Sequence, residues 1–342
     1  MVGDAPGMWF VGIALDECVS QTPDAQPPEL PNGCRNRMRL ALVVSATVVA
    51  TSCAHPSPRL VTWEEISGRP APSDAQRLHY REGALGFGDL RLPAGPGPFP
   101  VAVVIHGGCW RSENDLRHVS HLSTALARAG VATWTVEYRR IGDSGGGWPG
   151  TFEDVAAGTD YVRTLAERFS LDLRRVILVG HSAGGHLALW LAARQNLPRS
   201  SPLSSAAPLA IHGVVSLAGI SDLRAFSRGS AYCNASVAPL LGGTPEQVPE
   251  RYSQANPIEL LPLRVPQRLL HGGLDSIVPP ELSRTFAARS AIQGDDADFR
   301  VIPEAGHFDL IAPWSAAWQT VERAVLSLLA RPEELHGCQA GR

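Results

Sequence analysis

The chain has 342 residues, with 33 acidic side chains, 30 basic ones and a formal net charge of −3 at pH 7. All of the basic residues are arginine, and the absence of lysine excludes Schiff-base enzymes, pyridoxal-phosphate enzymes, Ser-Lys hydrolases and P-loop nucleotidases. No acidic or basic block is long enough to form a charged tail, so nucleic acid is not an expected partner.

The N-terminal segment, residues 1–52, has the pattern of a targeting sequence. The apolar run Leu40–Ala50 follows an arginine cluster around Met38 and is shorter than the ~18 residues that a membrane span needs. The run leads into Cys53 through small residues, which resembles a bacterial lipoprotein cleavage site. We therefore expect an N-terminal extension with a signal peptide, lipid attachment at Cys53, and Met38 as an alternative start to Met1.

These features predict an exported protein of the bacterial cell envelope, attached to the membrane through Cys53, or a secreted one. A cytoplasmic location is the alternative if the apolar run is not a signal. Residues 53–74 are interpreted as a linker and residues 332–342 as a C-terminal tail. Of the six cysteines, Cys109, Cys233 and Cys338 are available for a disulfide after export, and their spacing does not decide which two would pair.

From residue 75 onward, segments with strand and helix patterns alternate. Residues 78–92 predict an antiparallel edge hairpin. The further predicted strands are 99–106, 131–138, 175–179, 214–218, 267–271 and 299–302. The predicted helices are 116–129, 152–169, 184–194, 280–290 and 316–329. This alternation predicts an α/β fold with a mostly parallel central sheet and helices on both faces.

Residues 222–263 interrupt the alternation. They contain no strand pattern and are rich in glycine, proline and serine. Long insertions in compact domains are commonly lids or binding loops, so we expect a lid-like insertion that helps to set substrate shape.

The sequence Gly180-His181-Ser182-Ala183-Gly184 lies between a predicted strand and a predicted helix. Glycine at both ends permits a sharp turn that exposes the serine hydroxyl at its tip. The strand-turn-helix context therefore predicts that Ser182 is a nucleophile.

A second motif, His106-Gly107-Gly108-Cys109-Trp110, follows the predicted strand 99–106. Its glycines allow backbone N–H groups to point at a developing oxyanion, together with the N–H of Ala183. Cys109 is disfavoured as a nucleophile because it lies in this motif and outside the sharp turn at Gly180–Gly184.

A serine nucleophile needs a base and an orienting carboxylate. His307 follows the last predicted strand, and Asp275 lies at a strand end between Ser182 and His307 in the chain. The order Ser182, Asp275, His307 is the one expected for an α/β-hydrolase. Asp309 and Asp222 are weaker alternatives for the carboxylate, the first too close to His307 and the second one strand too early.

These residues carry a family resemblance. The motifs beginning at His106 and Gly180 resemble those of hormone-sensitive-lipase-like esterases and, more closely, the kynurenine formamidase and feruloyl-esterase-like (BD-FAE-like) branch. The resemblance implies that residues 75–331 form an α/β-hydrolase catalytic domain.

The resemblance also implies a set of site residues. It implies a catalytic triad of Ser182, Asp275 and His307 and oxyanion N–H groups on Gly108, Cys109 and Ala183, with motif support from His106, Gly107, Gly180 and Gly184. Cys109 departs from the lipase-like pattern, which has a third glycine there, and agrees with formamidase-like members, which have a larger residue followed by an aromatic.

The leading functional hypothesis is a serine carboxylic ester hydrolase that forms an acyl-enzyme with a small-molecule ester. An arylformamidase or a serine peptidase is the alternative, because the same residues serve both reactions, and export favours external esters. A non-catalytic binding protein is disfavoured because all three triad positions are filled. No cofactor and no metal are expected, and the sequence does not determine acyl-chain length, natural substrate or oligomeric state.

Two further patterns have weaker functional interpretations. Gly145–Gly150 fits a dinucleotide-binding glycine pattern but lies beyond the strand end, so we interpret it as a mobile loop bordering the pocket. His118 and His121 share one face of a predicted helix, yet no third ligand is near them in sequence, which disfavours a metal site.

Overall fold

One eight-stranded sheet forms the centre of the computed structural model, which describes residues 58–330. The strands are β1 (Gln76–His79), β2 (Phe87–Arg91), β3 (Phe99–Ile105), β4 (Ala132–Val136), β5 (Leu171–His181), β6 (Val214–Leu217), β7 (Gln267–Gly272) and β8 (Ala297–Ile302). Their spatial order is β1-β2-β4-β3-β5-β6-β7-β8. The β1–β2 and β2–β4 pairs are antiparallel and all other pairs are parallel, which confirms the predicted edge hairpin and the mostly parallel sheet.

Helices cover both faces of the sheet. They are α1 (Trp63–Gly68), α2 (Ser120–Arg128), α3 (Gly150–Asp160), α4 (Val162–Arg168), α5 (Ala183–Ala193), α6 (Leu223–Phe226), α7 (Val237–Leu241), α8 (Pro249–Ala255), α9 (Pro280–Ile292) and α10 (Trp318–Leu329). The helix predicted over 152–169 is in fact two, α3 and α4, which meet at Tyr161. Between residues 58 and 330, no helix combines the length and apolar content that crossing a membrane requires.

The central strands are buried because their side chains face helices on both sides. Residues 101–105 of β3 are fully buried, as expected for a valine-rich strand inside a parallel sheet. Side chains of α3, α4, α5 and α9 form one core with the sheet, and those of α1, α2 and α10 form a second core on the opposite face. The carboxyl ends of β3, β5, β7 and β8 are therefore held at one edge of the sheet.

The described part of the segment interpreted as a linker is packed against this domain. Helix α1 begins at an N-cap in which Thr62 Oγ1 accepts the Glu65 N–H at 3.3 Å. Val61 and Ile66 are buried in the second core, and the Val61 N–H donates to Asp309 Oδ2 at 3.2 Å. The domain therefore begins before residue 75. The predictions for residues 1–52, Cys53, the tail 332–342 and Cys338 lie outside the described residues.

The insertion, residues 222–263, contains α6, α7 and α8 and, as predicted, no strand. It packs against the first core through apolar side chains that include Leu240 and Tyr252, both fully buried. The Trp148 N–H donates to the Leu240 carbonyl at 2.7 Å. Gly145–Gly150 therefore lies against the insertion and does not border the cavity beside Ser182, contrary to our interpretation of that loop.

Candidate active site

Ser182 lies at the turn between β5 and α5 in a conformation that few residues adopt. Its φ and ψ are 57° and −120°, and it is buried, with a relative exposure of 2%. A side chain at Gly180 would collide with Gly184, and one at Gly184 would collide with the carbonyl of Ile105 in β3. The two glycines are therefore required by close approach of the backbone, and the sharp turn predicted between strand and helix at Ser182 is present.

Asp275 and His307 meet beside this turn. Asp275 follows β7 and His307 follows β8, and His307 Nδ1 lies 2.7 Å from Asp275 Oδ2. Asp275 Oδ1 accepts the N–H groups of Ile277 and Val278 at 2.8 and 2.9 Å, which fixes the orientation of the carboxylate. The carboxylate therefore holds the imidazole with Nδ1 protonated and leaves Nε2 as the basic nitrogen.

The Asp275 carboxylate remains ionised although its side chain is fully buried. Burial would raise the pKa of Asp275, but hydrogen bonds from His271 and His307, the charge of His307 and the Val278 N–H outweigh it and hold the pKa well below its usual range. An anion at this position would stabilise an imidazolium at His307.

The two alternative carboxylates are engaged elsewhere. Asp309 Oδ2 accepts the N–H groups of Val61 and Gly306 at 3.2 and 2.9 Å, so it holds the segment before α1 against the loop before His307. Asp222 caps α6 by accepting the Ala225 N–H at 3.1 Å. Asp275 is the carboxylate in contact with His307.

Ser182 and His307 line the same cavity, which has a volume of about 350 Å³. The lining consists of Trp63, Gly108, Cys109, Asn114, His118, Ser182, Ala231, Tyr232, Cys233, Ser276, Ile277, His307 and Phe308. Within residues 58–330 the Ser182 hydroxyl makes no hydrogen bond. Catalytic hydrogen bonds of this kind are often formed only when substrate is bound.

The loop after β3 faces the serine turn with unusual backbone angles. Gly108, Cys109 and Trp110 all have positive φ, at 101°, 53° and 57°. A Cβ on Gly107 would lie 2.7 Å from the His181 carbonyl, so the loop contacts the turn that carries Ser182. In the part of the chain that the structure describes, the N–H groups of Gly108, Cys109 and Ala183 have no hydrogen-bond acceptor.

His106 anchors this loop from below. Its Nε2 lies 3.0 Å from Glu137 Oε1, its ring stacks on Tyr138 at 4.3 Å, and the Tyr138 hydroxyl donates to its carbonyl at 2.8 Å. The Glu137 carboxylate also accepts the Leu116 N–H at 3.1 Å. His106 therefore supports the loop and is too deeply enclosed to act on a substrate.

A disulfide joins this loop to the insertion. Cys109 and Cys233 are bonded, with a Cα–Cα separation of 5.1 Å and a sequence separation of 124. Next to the bond, the Arg111 guanidinium lies 4.6 Å above the ring of Tyr232. Of the pairings that the sequence left open, the structure has Cys109 bonded to Cys233. This bond holds the insertion over the cavity.

Several residues of the cavity wall were not predicted from the sequence, namely Trp63, Asn114, Tyr232, Ile277 and Phe308. Ile277 and Phe308 could have been found because they lie next to Asp275 and His307 in sequence. Trp63 had a weaker signal, the Thr62 to Glu65 spacing of a helix N-cap. Nothing in the sequence marks Tyr232, which is brought to the cavity by the disulfide beside it.

His118 and His121, which the sequence places on one helix face, have different surroundings in the structure. His118 lines the cavity and contacts His181, whereas the ring of His121 lies 5.2 Å from Trp314. No group of three or more potential metal ligands occurs among the described residues.

Comparison with known proteins agrees with this geometry. The BD-FAE family model matches residues 89–289, which is more than half of the chain. Esterase LipC of Mycobacterium tuberculosis (strain ATCC 25618 / H37Rv) is 24% identical over 324 residues, covering 90% of this chain and 80% of LipC. LipM of the same organism, described as a probable carboxylic ester hydrolase, is 27% identical over 229 residues, covering 65% of this chain and 52% of LipM.

A solved structure gives the same result for the fold. A truncated form of a carbohydrate esterase from gut microbiota superposes with a TM-score of 0.67 at 20% identity, covering 77% of this chain and 99% of that chain. The likeness confirms the α/β-hydrolase fold predicted from the sequence.

Proposed function

The chain belongs to the BD-FAE family of α/β-hydrolases and is an esterase, and from that premise we propose that it hydrolyses small carboxylic esters through an acyl-enzyme on Ser182. The observation that carries the proposal is the buried Asp275–His307 hydrogen bond of 2.7 Å in the same cavity as the strained serine turn. The triad predicted from the sequence thus has its members at the ends of β5, β7 and β8.

The reaction follows from these positions. His307 Nε2 removes the Ser182 hydroxyl proton as the oxygen attacks the ester carbonyl carbon, and the carbonyl oxygen becomes an oxyanion. His307 then gives the proton to the leaving alkoxide, which departs as the alcohol. A water molecule attacks the acyl-enzyme with the same proton transfers and releases the acid.

The N–H groups of Gly108, Cys109 and Ala183 are the proposed oxyanion donors. They lack protein acceptors within residues 58–330, and Ala183 begins helix α5, whose N-terminal dipole favours negative charge. Ala183 is fully buried, and an unpaired buried donor is costly, so a ligand oxygen is the expected partner of its N–H.

The cavity supports a compact substrate. Its volume of about 350 Å³ is at the low end of the range for ligand pockets, and Trp63, Tyr232, Ile277 and Phe308 give it apolar walls. Esters with short or aromatic acyl groups fit this description better than long-chain lipids.

A fluorophosphonate probe tests the proposal. The probe should label Ser182, and mass spectrometry identifies the modified residue. Ser182→Ala should lose labelling and turnover while its circular dichroism spectrum stays unchanged. An active Ser182→Ala protein would contradict the proposal.

Arylformamidase activity on the same residues is the second candidate, favoured by Cys109 followed by Trp110 in place of a third glycine. Initial rates on short nitrophenyl esters and on N-formylkynurenine separate the two. Turnover of the formamide alone, with Ser182 labelled, would replace the esterase proposal.

We also propose that the protein is exported and carries lipid at Cys53. The Cys109–Cys233 disulfide supports export, because such bonds persist in oxidising compartments. Fractionation of cells that express the wild type and Cys53→Ser should place the wild type in the membrane fraction and release the variant. Recovery of both proteins in the cytoplasm would contradict export.

A further inference from the structure

Two buried histidines outside the proposed triad, His118 and His181, form a chain of hydrogen bonds that ends at the main-chain carbonyl of His307. His118 Nε2 lies 2.8 Å from His181 Nδ1, and His181 Nε2 lies 3.0 Å from the carbonyl oxygen of His307. All three residues are at least nine-tenths buried. The rings of His181 and His307 also lie against each other, with centroids 4.5 Å apart.

The acceptor at the end of this chain fixes the direction of both hydrogen bonds. The carbonyl of His307 can only accept, so His181 donates through Nε2–H. A neutral His181 then presents a lone pair at Nδ1, and His118 must donate through its own Nε2–H. His118 Nδ1 is left without a proton, and within residues 58–330 it has no hydrogen-bond partner.

Both rings are held in the neutral form. Burial, and then the charges of His106 and His307, keep the pKa of His118 well below its usual range, and Asp115 opposes this only weakly. Burial, and then the charges of His307 and His118, also hold the pKa of His181 well below its usual range, against smaller opposing effects of its hydrogen bond to the His307 carbonyl and of Asp275. A second proton on His181, at Nδ1, would face the Nε2–H of His118, so the two hydrogen bonds as described require a neutral His181.

The position of His181 in sequence connects these hydrogen bonds with the proposed reaction. His181 ends β5 and directly precedes Ser182, whereas His307 lies in the loop after β8. Asp275 holds the His307 side chain, and His181 holds its main chain. The residue before the nucleophile therefore restrains the loop that carries the base.

We propose that His181, which donates through Nε2–H to the His307 carbonyl and is held at Nδ1 by His118, is a positioning residue that fixes His307 relative to Ser182. The proposal rests on the proposed function, because it assigns His307 the role of base. Neither histidine is a catalytic residue, since neither is placed to exchange a proton with Ser182.

Paired substitutions test the role. His181→Leu removes the donor, whereas His181→Gln keeps an N–H near the Nε2 position. We expect kcat to fall roughly 10- to 100-fold in His181→Leu with little change in KM, because small displacements of a catalytic group have effects of this size. His181→Gln should recover part of the loss, and the acid limb of the kcat–pH profile should move in the leucine variant.

His118→Leu and His118→Gln repeat the comparison at the histidine that contacts His307 only through His181. We expect a smaller loss of kcat in these variants. His121→Leu is the matched control, because His121 takes no part in these hydrogen bonds. The kcat of this variant should match that of the wild type. Thermal denaturation of every variant separates a positioning effect from unfolding. Equal kcat in the wild type and both leucine variants would overturn the proposal.

Nitrogen-15 NMR of the histidine rings gives a readout that does not depend on turnover. Neutral rings at pH 7 with the proton on Nε2 of His118 and His181 are the expected result, and Nδ1 protons or charged rings would overturn the proposal. An inactive wild type that the fluorophosphonate does not label would instead overturn the esterase proposal, and the NMR result would still report whether the chain of hydrogen bonds exists.

Discussion

The proposed acyl-transfer residues and the walls of their cavity are built in different ways. Ser182, Asp275 and His307 each follow a strand, and parallel strands place their carboxyl ends at one edge. Trp63 and Tyr232 instead come from α1 and the insertion, which lie outside the sheet. The strand ends fix the reacting groups through short-range turns, whereas the shape of the cavity depends on long-range packing and one covalent bond.

The largest expected effect comes from the region at the strand ends. Asp275→Asn keeps the shape of the side chain but favours the wrong tautomer of His307, so kcat should fall by about 10⁴-fold. Asp222→Asn is the matched control, because the Asp222 carboxylate makes its hydrogen bonds to Ala225 and Asn256 in the insertion and not to the loop that carries His307. Steady-state kinetics with a short nitrophenyl ester measures both, and similar losses in the two variants would contradict the role of Asp275.

The disulfide is the next test, since it connects the two regions. Replacing Cys109 and Cys233 by serine should lower the free energy of unfolding by about 2–5 kcal/mol and kcat/KM by roughly tenfold, because the insertion and the loop after β3 are no longer tied. Dithiothreitol should reproduce both losses in the wild type and leave the serine variant unchanged. A reduced wild type with full activity and stability would show that the bond does not shape the site.

Trp63→Ala tests the cavity wall alone. Trp63, Asn114 and His118 line both the catalytic cavity and a neighbouring cavity of about 430 Å³, so removing the indole should join the two. The rate ratio of octanoate to acetate nitrophenyl esters should rise by roughly tenfold, the low end of the effect of one methylene in a hydrophobic pocket. Trp314→Ala, on the same side of the domain but outside both cavities, should leave the ratio unchanged.

The last prediction concerns the pH dependence of the free energy of unfolding. It depends on His186, which is buried in the first core. Burial lowers the pKa of His186 to about 4, although its hydrogen bond to the Ala255 carbonyl opposes this. The unfolded chain binds a proton below pH ~6.5 that the folded chain does not, so stability falls as pH falls from ~6.5 toward 4. The slope from this residue approaches about 1.4 kcal/mol per pH unit. Urea denaturation across this range should give a shallower slope for His186→Gln.

The sequence predicted the strand-end region well because its signals are local. Gly180 and Gly184 surround the serine in a turn that no other residue could form, and Asp275 and His307 each follow a recognisable strand. A parallel sheet then places these turns together without further information.

The wall region was harder to predict because its contacts span long sequence distances. Helix α1 is only six residues long and lies among prolines, so its apolar pattern was too short to read, and the Thr62 cap was its one local signal. Three cysteines allow three pairs, and only the packing of the insertion brings Cys233 to Cys109. The position of Trp63 likewise depends on Val61 and Ile66, which pack against the opposite end of the chain.

The disulfide also determines what a protease can do to this chain. Ser182 lies between the two bonded cysteines in sequence, and Arg228 lies in an exposed stretch just before Cys233. A cut after Arg228 would divide the polypeptide into two pieces that remain covalently linked, with Ser182 on one piece and both Asp275 and His307 on the other. Nicking there would be visible on a gel only after reduction, and the three residues would still belong to one molecule.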